Sequence, residues 1–430
     1  MDYDMSNKTE KSKLAALRSI EEVRKRLNIQ QILGADYHSK VKVRISHSVP
    51  HFWNSIQTIV EGFCDKEGLD VKIVLSPLYP NYSSKLEYQM KEGGYRYIYS
   101  DNYNIETDKP DIVVFNIAQA VTIFESWGGI DTIRKNAKYL AVIPYDNSVK
   151  FESDDRMNAY YDILNDLRAD IFIIAKPIYD VIKNRYANTV QMDSPKFDVI
   201  YRKLSRKSGI PEDWKKLDGK KVILWTTVHG HDEWYPNTFF VGLTFDIYIK
   251  EVLNYFKKHK NMGLIFRPHP AYVEELVYRH KIWTEADLQC IKDYFKNSEN
   301  MVWDDSEDYS NAFVLSDALM TDDGTGITLS YLPTRKPICI LRRNNIEFYT
   351  GTSKVIENYY KSHNFTELHG YFEMIEQEKD PFYEARMRTV EDYITIFDGK
   401  NGIRIVNKIM SDFMDKINYE QKCSSGDIYG

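Results

Sequence analysis

The chain has 430 residues, too many for one hydrophobic core, so two domains are expected. Its 43% hydrophobic content is ordinary for a globular protein, and a formal charge of -6 with a pI near 6.0 excludes a broadly basic nucleic-acid binder. Four scattered cysteines, Cys64, Cys290, Cys339 and Cys423, have no metal-ligand spacing, and no apolar run approaches the roughly 18 residues of a membrane-spanning helix.

No signal-peptide pattern is apparent, so a reducing cytoplasm is the expected compartment. The 32 Tyr and 20 Phe suit rings that stack on sugars or bases, and equally a compositional bias. In "KTEKSKLAALRSIEEVRKRLNIQQIL", Leu14, Leu17, Ile20, Val23, Leu27 and Ile29 recur at helical spacing, with Lys and Arg over the polar positions. This predicts a basic amphipathic helix over residues 1–38. Such a helix is fit to lie on an anionic membrane surface, to pack on the protein body or to join an oligomer.

From residue 40 short apolar runs alternate with longer amphipathic ones. "KVKVRISHS" reads as a strand, "WNSIQTIVEGFCDK" as a helix and "DVKIVLSP" as the next strand. "DIVVFNI", "YLAVIPY" and "DIFIIAK" are continuous apolar runs, as parallel strands covered on both faces require. Residues 186–219 are polar and broken by Pro195, Pro211 and Gly219, which places a linker near 186–195. A second alternation follows through "KVILWTTV", "GLIFRPH", "MVWDD", "DALMTDD" and "PICILRR", and helices close the chain. In the apolar "PICIL", Cys339 reads as a small core residue. The expected fold is α/β: two Rossmann-like domains facing a cleft, with an N-terminal helix and C-terminal helices. Boundaries are drawn at 1–38, 39–188, 189–378 and 379–430, the last crossing back to the first domain.

Ligands of such sheets bind outside the carboxyl ends of the strands, so those ends are where chemistry is expected. Three of them in the second half are polar. "VILW" is followed by Thr226, Thr227, His229, Gly230, His231, Asp232 and Glu233. "GLIF" is followed by Arg267 and His269, two residues apart and so on one side of an extended chain. "ALM" is followed by Thr321, Asp322, Asp323, Gly324, Thr325 and Gly326, a small turn entering a helix whose free N–H groups favour an anion or serve only as a cap. Asp322 and Asp323 would repel a phosphate if they faced it, so one is expected to cap locally or meet a ribose hydroxyl. His229 and His231 with Asp232 and Glu233 are compatible with a metal, but no second ligand cluster at suitable spacing stands out elsewhere in the sequence. An imidazole pair for a pyrophosphate is the preferred reading.

"LIFRPHP", followed some fifty residues on by "LSDALMTDDGTGITLSYLPTRKPICIL", resembles the bacterial CDP-glycerol glycerophosphotransferases of teichoic-acid and capsule synthesis. "MDSPKFD", "SVPHFWNSIQTIVEGF" and "FDGKNGIRIVNKI" are similar to further segments of that family, so the likeness spans about residues 43–410. The resemblance implies a GT-B-type fold. It also implies an enzyme that moves glycerol phosphate, or a related polyol phosphate, from a CDP-activated donor to a hydroxyl of a surface-glycan or lipid-linked acceptor, releasing CMP. It places His269 on the donor phosphate with Arg267 in support. Asp317, Thr321, Asp322, Gly324, Thr325 and Gly326 would form the donor pocket, His229, His231 and Asp232 the neighbouring strand end, and Arg404 would approach the same cleft. No cofactor or metal is required, though a divalent cation is compatible; nucleic acid is not an expected partner. A peripheral position on the inner face of the cell membrane is compatible with the N-terminal helix.

Two departures matter: where the family shows a hydroxyl pair after its acidic strand, this chain has Gly324 and Thr325, which keep one hydroxyl, and the second departure concerns the base. Where the family carries a Trp-His-Gly turn with its catalytic base, this chain has Tyr145, Asp146 and Asn147. The base is then Asp146, or a histidine such as His47, His51 or His229. The missing turn also keeps open a GT-B glycosyltransferase using a nucleotide sugar, or a non-catalytic nucleotide-binding relative.

Overall fold

The computed structural model describes residues 40–117, 120–145, 166–176, 178–184, 188–206, 210–228, 243–269, 272–273, 275–323, 325–343 and 353–425. The N-terminal helix expected over 1–38 lies outside them.

Two parallel sheets carry the architecture. The first contains β1 (Val41–His47), β2 (Leu69–Leu75), β3 (Tyr97–Tyr99), β4 (Ile112–Ile117), β5 (Tyr139–Pro144), β6 (Ile171–Ile174) and β7 (Thr189–Gln191), in the order 3-2-1-4-5-6-7. The second contains β8 (Lys221–Thr226), β9 (Met262–Arg267), β10 (Met301–Trp303), β11 (Ala318–Asp322), β12 (Ile338–Leu341) and β13 (Tyr360–Ser362), in the order 10-9-8-11-12-13. Each is a doubly wound sheet in which the order reverses beside its first strand, opening a crevice between β1 and β4 and between β8 and β11. The first sheet ends at Gln191 rather than before residue 189, because β7 pairs in parallel with β6.

Strand sequence explains the double covering. In β4, Ile112 and Val114 enter one core while Val113 and Phe115 enter the core on the other face. In β8, Ile223 and Trp225 face one way, Val222 and Leu224 the other. With both faces dry, every second position must be apolar on each side, which yields the continuous runs seen in sequence. Cys339 is fully buried in β12, and all four cysteines are free thiols.

The C-terminal helix, Asn401–Ser425, returns to the first sheet. Its Ile405, Val406, Ile409, Met410, Phe413 and Met414 complete the core on one face of that sheet. It packs on the helix Gln57–Cys64, so closely that a Cβ at Gly402 would stand 2.5 Å from the Thr58 carbonyl carbon. Its amino end is capped by Asp198, whose carboxylate accepts from the N–H groups of Asn401 and Gly402, both at 2.8 Å. Asp193 likewise accepts from Ile396 N at 2.8 Å. Burial raises the pKa of both carboxyls despite these backbone donors. The segments "MDSPKFD" and "FDGKNGIRIVNKI" therefore meet as one joint between the halves of the chain. Among the described residues no helix is long and apolar enough to cross a membrane.

Candidate active site at the domain cleft

Because every strand is parallel, each sheet presents all its carboxyl ends along one edge, and the two edges face each other. At the crevice of the second sheet, the Thr226 hydroxyl closing β8 donates to Thr321 Oγ1 of β11 at 2.7 Å, both buried. Asp322, fully buried, accepts from Val228 N at 2.9 Å, from Thr244 N at 3.1 Å and from the Thr244 hydroxyl. Val228 and Thr244 flank residues 229–242, so one carboxylate ties both ends of the segment that carries His229, His231 and Asp232. Those three residues, with Asp146 and Gly324, lie outside the described residues. Asp323 is also buried and pairs with Arg342 Nε at 3.2 Å. The repulsion expected between these aspartates and a phosphate is thus avoided by turning both carboxylates to protein donors. Thr325 Oγ1 accepts from Ile327 N at 3.0 Å, and Gly326 begins the short helix Ile327–Tyr331.

His269 stands two residues past β9. Its backbone N–H donates to Thr227 Oγ1 at 3.1 Å, fixing the turn after the strand to the end of β8. Arg267 goes elsewhere. Its Nη1 donates to Asp304 at 2.6 Å and to Ser306 Oγ at 3.1 Å, and its Nη2 to the Ser306 carbonyl at 2.7 Å. Asp304 is 2% exposed and also accepts from the Ser306 N–H and hydroxyl. The guanidinium therefore shapes the loop after β10.

That loop reaches the other domain. Asp308 accepts from Asn54 Nδ2 at 3.1 Å, and Glu307 pairs with Lys85 at 2.5 Å. Next to it the rings of His51 and His269 meet edge to face with centroids 6.0 Å apart, one from each domain. His51 lies on the 3-10 turn Pro50–Ser55 after β1, where Pro50 sets the first turn. Beneath it His47, at the end of β1, is fully buried, and burial lowers its pKa to about 4, so it is neutral near pH 7. Neutral His47 bonds through Nε2 to Gln89 Oε1 at 3.1 Å, and Gln89 Nε2 donates to the Pro50 carbonyl at 2.9 Å. This chain holds the turn that presents His51. On its other side Phe52 stacks on Tyr145 at 3.7 Å between centroids, and Lys196 Nζ lies 5.2 Å from the centre of the Tyr145 ring.

Two residues expected in the pocket are placed elsewhere. Asp317 precedes β11 and accepts from Val222 N at 2.7 Å at the start of β8, on the sheet edge away from the crevice and roughly 16 Å down the strand from Asp322. Arg404 bonds Asp398 at 2.9 Å through Nη1 and Asn401 at 3.1 Å, within the joint to the C-terminal helix. Sequence reasoning gave no role to Asp304, Ser306, Asn54, Asp308, Lys85 or Glu307; the run "DDSEDYS" after a strand was the available signal. Among the described residues no three His, Cys, Asp or Glu side chains converge as a metal site would.

The model of the CDP-glycerol:poly(glycerophosphate) glycerophosphotransferase family matches residues 165–411, more than half of the chain. The chain belongs to that family. The match includes the whole described crevice of this glycerophosphotransferase-family transferase, together with His269 and the joint to the C-terminal helix. No curated protein matches it in sequence. Among solved structures it is similar to the wall teichoic acid polymerase TagF, at 14% identity and a TM-score of 0.56 over 97% of this chain and 99% of that one. It is also similar to S. aureus MnaA with UDP (15% identity, TM-score 0.59, 86% of this chain and 95% of that one). A third similar structure is the UDP-GlcNAc 2-epimerase of Neisseria meningitidis with UDP-GlcNAc (13% identity, TM-score 0.56, 87% of this chain and all of the other). At such identities the likeness is one of fold, which is GT-B-like, as the family resemblance implied.

Proposed function

We propose that the protein transfers glycerol phosphate, or a related polyol phosphate, from a CDP-activated donor to an acceptor hydroxyl of a teichoic-acid-type or surface glycan, releasing CMP. The observation that carries this reading is the His51–His269 pair at the cleft, one ring from each domain. The donor lies in the β8–β11 crevice with His269 at the phosphate that is transferred. His51 takes the proton of the acceptor hydroxyl as its oxygen attacks that phosphorus. The new P–O bond forms, the bond to the bridging oxygen breaks, and CMP leaves with the electron pair. A base within hydrogen-bond reach of the nucleophile and donors aimed at the leaving phosphate are what this step requires. His51 thereby supplies the group that the family's Trp-His-Gly turn would have supplied.

Calorimetry on the purified chain tests the donor side. CDP is expected to bind more tightly than UDP or GDP, and His269→Ala to weaken CDP by about tenfold or more, the range of a lost hydrogen bond to a charged group. Preference for UDP would replace this reading with nucleotide-sugar transfer.

A further inference from the structure

We propose that the mouth of the cleft beside the histidine pair binds a sugar ring of the acceptor, so that the attacking hydroxyl belongs to a saccharide rather than to a polyol-phosphate chain. This rests on the transferase reading above and adds the acceptor's chemical class. The segment after β2 ends in the 3-10 turn Pro80–Tyr82, whose Tyr82 ring meets His51. Tyr79 remains 50% exposed there, a large ring left half in water. Its centroid is 5.2 Å from that of Tyr82, Tyr82 is 6.3 Å from His51, and His51 is 6.0 Å from His269. Successive ring contacts thus connect the half-exposed Tyr79 to the histidine pair.

Polar groups stand beside that line. Lys85 is three residues beyond Tyr82 and so on the same side of the helix Ser83–Glu92. It pairs with Glu307 from the opposite domain, and both side chains keep contact with solvent. A pyranose has a C–H face that matches the electron-rich face of a tyrosine, and hydroxyls at its rim that need both donors and acceptors. Tyrosines flanked by an ammonium and a carboxylate supply both. A polyol-phosphate chain has no such face and calls for uncompensated cations. Here the Lys85 charge is balanced by Glu307.

Saturation-transfer NMR on the full chain tests this with methyl pyranosides, a methyl disaccharide and tri(glycerol phosphate), and with CDP titrated separately. Saturation is expected on the ring C–H protons of the saccharides. Tyr79→Ala should weaken saccharide binding by about tenfold, the scale of one lost aromatic contact. Tyr79→Phe should keep it, and Tyr88→Ala, an exposed tyrosine on the following helix Ser83–Glu92, should not change it. Preference for tri(glycerol phosphate), no saccharide binding, or equal effects of Tyr79→Ala and Tyr88→Ala would overturn the proposal. CDP binding without saccharide binding removes the platform and leaves the donor reading; saccharide binding at Tyr79 without CDP binding does the reverse.

Discussion

Alanine at His51 is expected to reduce acceptor-dependent CMP release by about 10²- to 10⁴-fold, the contribution of a positioned general base. The family position for that base is occupied by Tyr145 and Asp146, and the described imidazole that meets His269 from the opposite domain is His51. Its turn is held by the Gln89 bond to the Pro50 carbonyl and, behind that, by neutral His47. The variant should fold, because His51 is only partly buried and its neighbours Phe52 and Tyr145 stack without it. CDP affinity, read by calorimetry, separates the two histidines: His51→Ala should leave it within about twofold, whereas His269→Ala should not. If His51→Ala turns over normally and Asp146→Asn does not, the base is Asp146.

Arg267→Ala is expected to destabilise the chain by about 3–5 kcal/mol, because it leaves the Asp304 carboxylate buried without its cation. The measurement is the midpoint of urea unfolding of the second domain, followed through its tryptophans. Replacing both partners, as in the double variant Arg267→Met and Asp304→Leu, should recover most of the loss, since no charge then remains buried. A residue that gripped the donor phosphate directly would behave otherwise. Its loss would weaken CDP, flatten the salt dependence of binding, and leave the unfolding midpoint where it was. Activity should fall in Arg267→Ala as well, through the loop: Ser306 loses its two bonds from the guanidinium, which loosens Glu307 and Asp308 opposite Lys85 and Asn54.

The two-sheet fold was legible because strands buried on both faces leave continuous apolar runs, as in "YLAVIP" of β5, every residue of which is buried. That the polar strand ends share one edge was legible for a related reason, since all the strands run parallel. Individual roles were harder to read. Asp322 looks like a ligand group in sequence and serves as the clasp between Val228 and Thr244. Arg267 shares a strand end with His269, yet its long side chain reaches Asp304, a partner that periodicity cannot identify. Asp317 and Arg404 were assigned by motif likeness, and their carboxylate and guanidinium instead satisfy a strand N–H and a helix-end aspartate. The meeting of His51 with His269 depends on how two domains face each other, and no local pattern encodes that.

Transfer from a cytidine-diphosphate donor is tested most directly by CMP release, followed by mass spectrometry, from the full chain given a panel of CDP-activated polyols with and without a glycan acceptor. CMP is expected from at least one CDP-polyol, dependent on acceptor and lost in His269→Ala. Turnover of a UDP-sugar with no CMP from any member of the panel would contradict it.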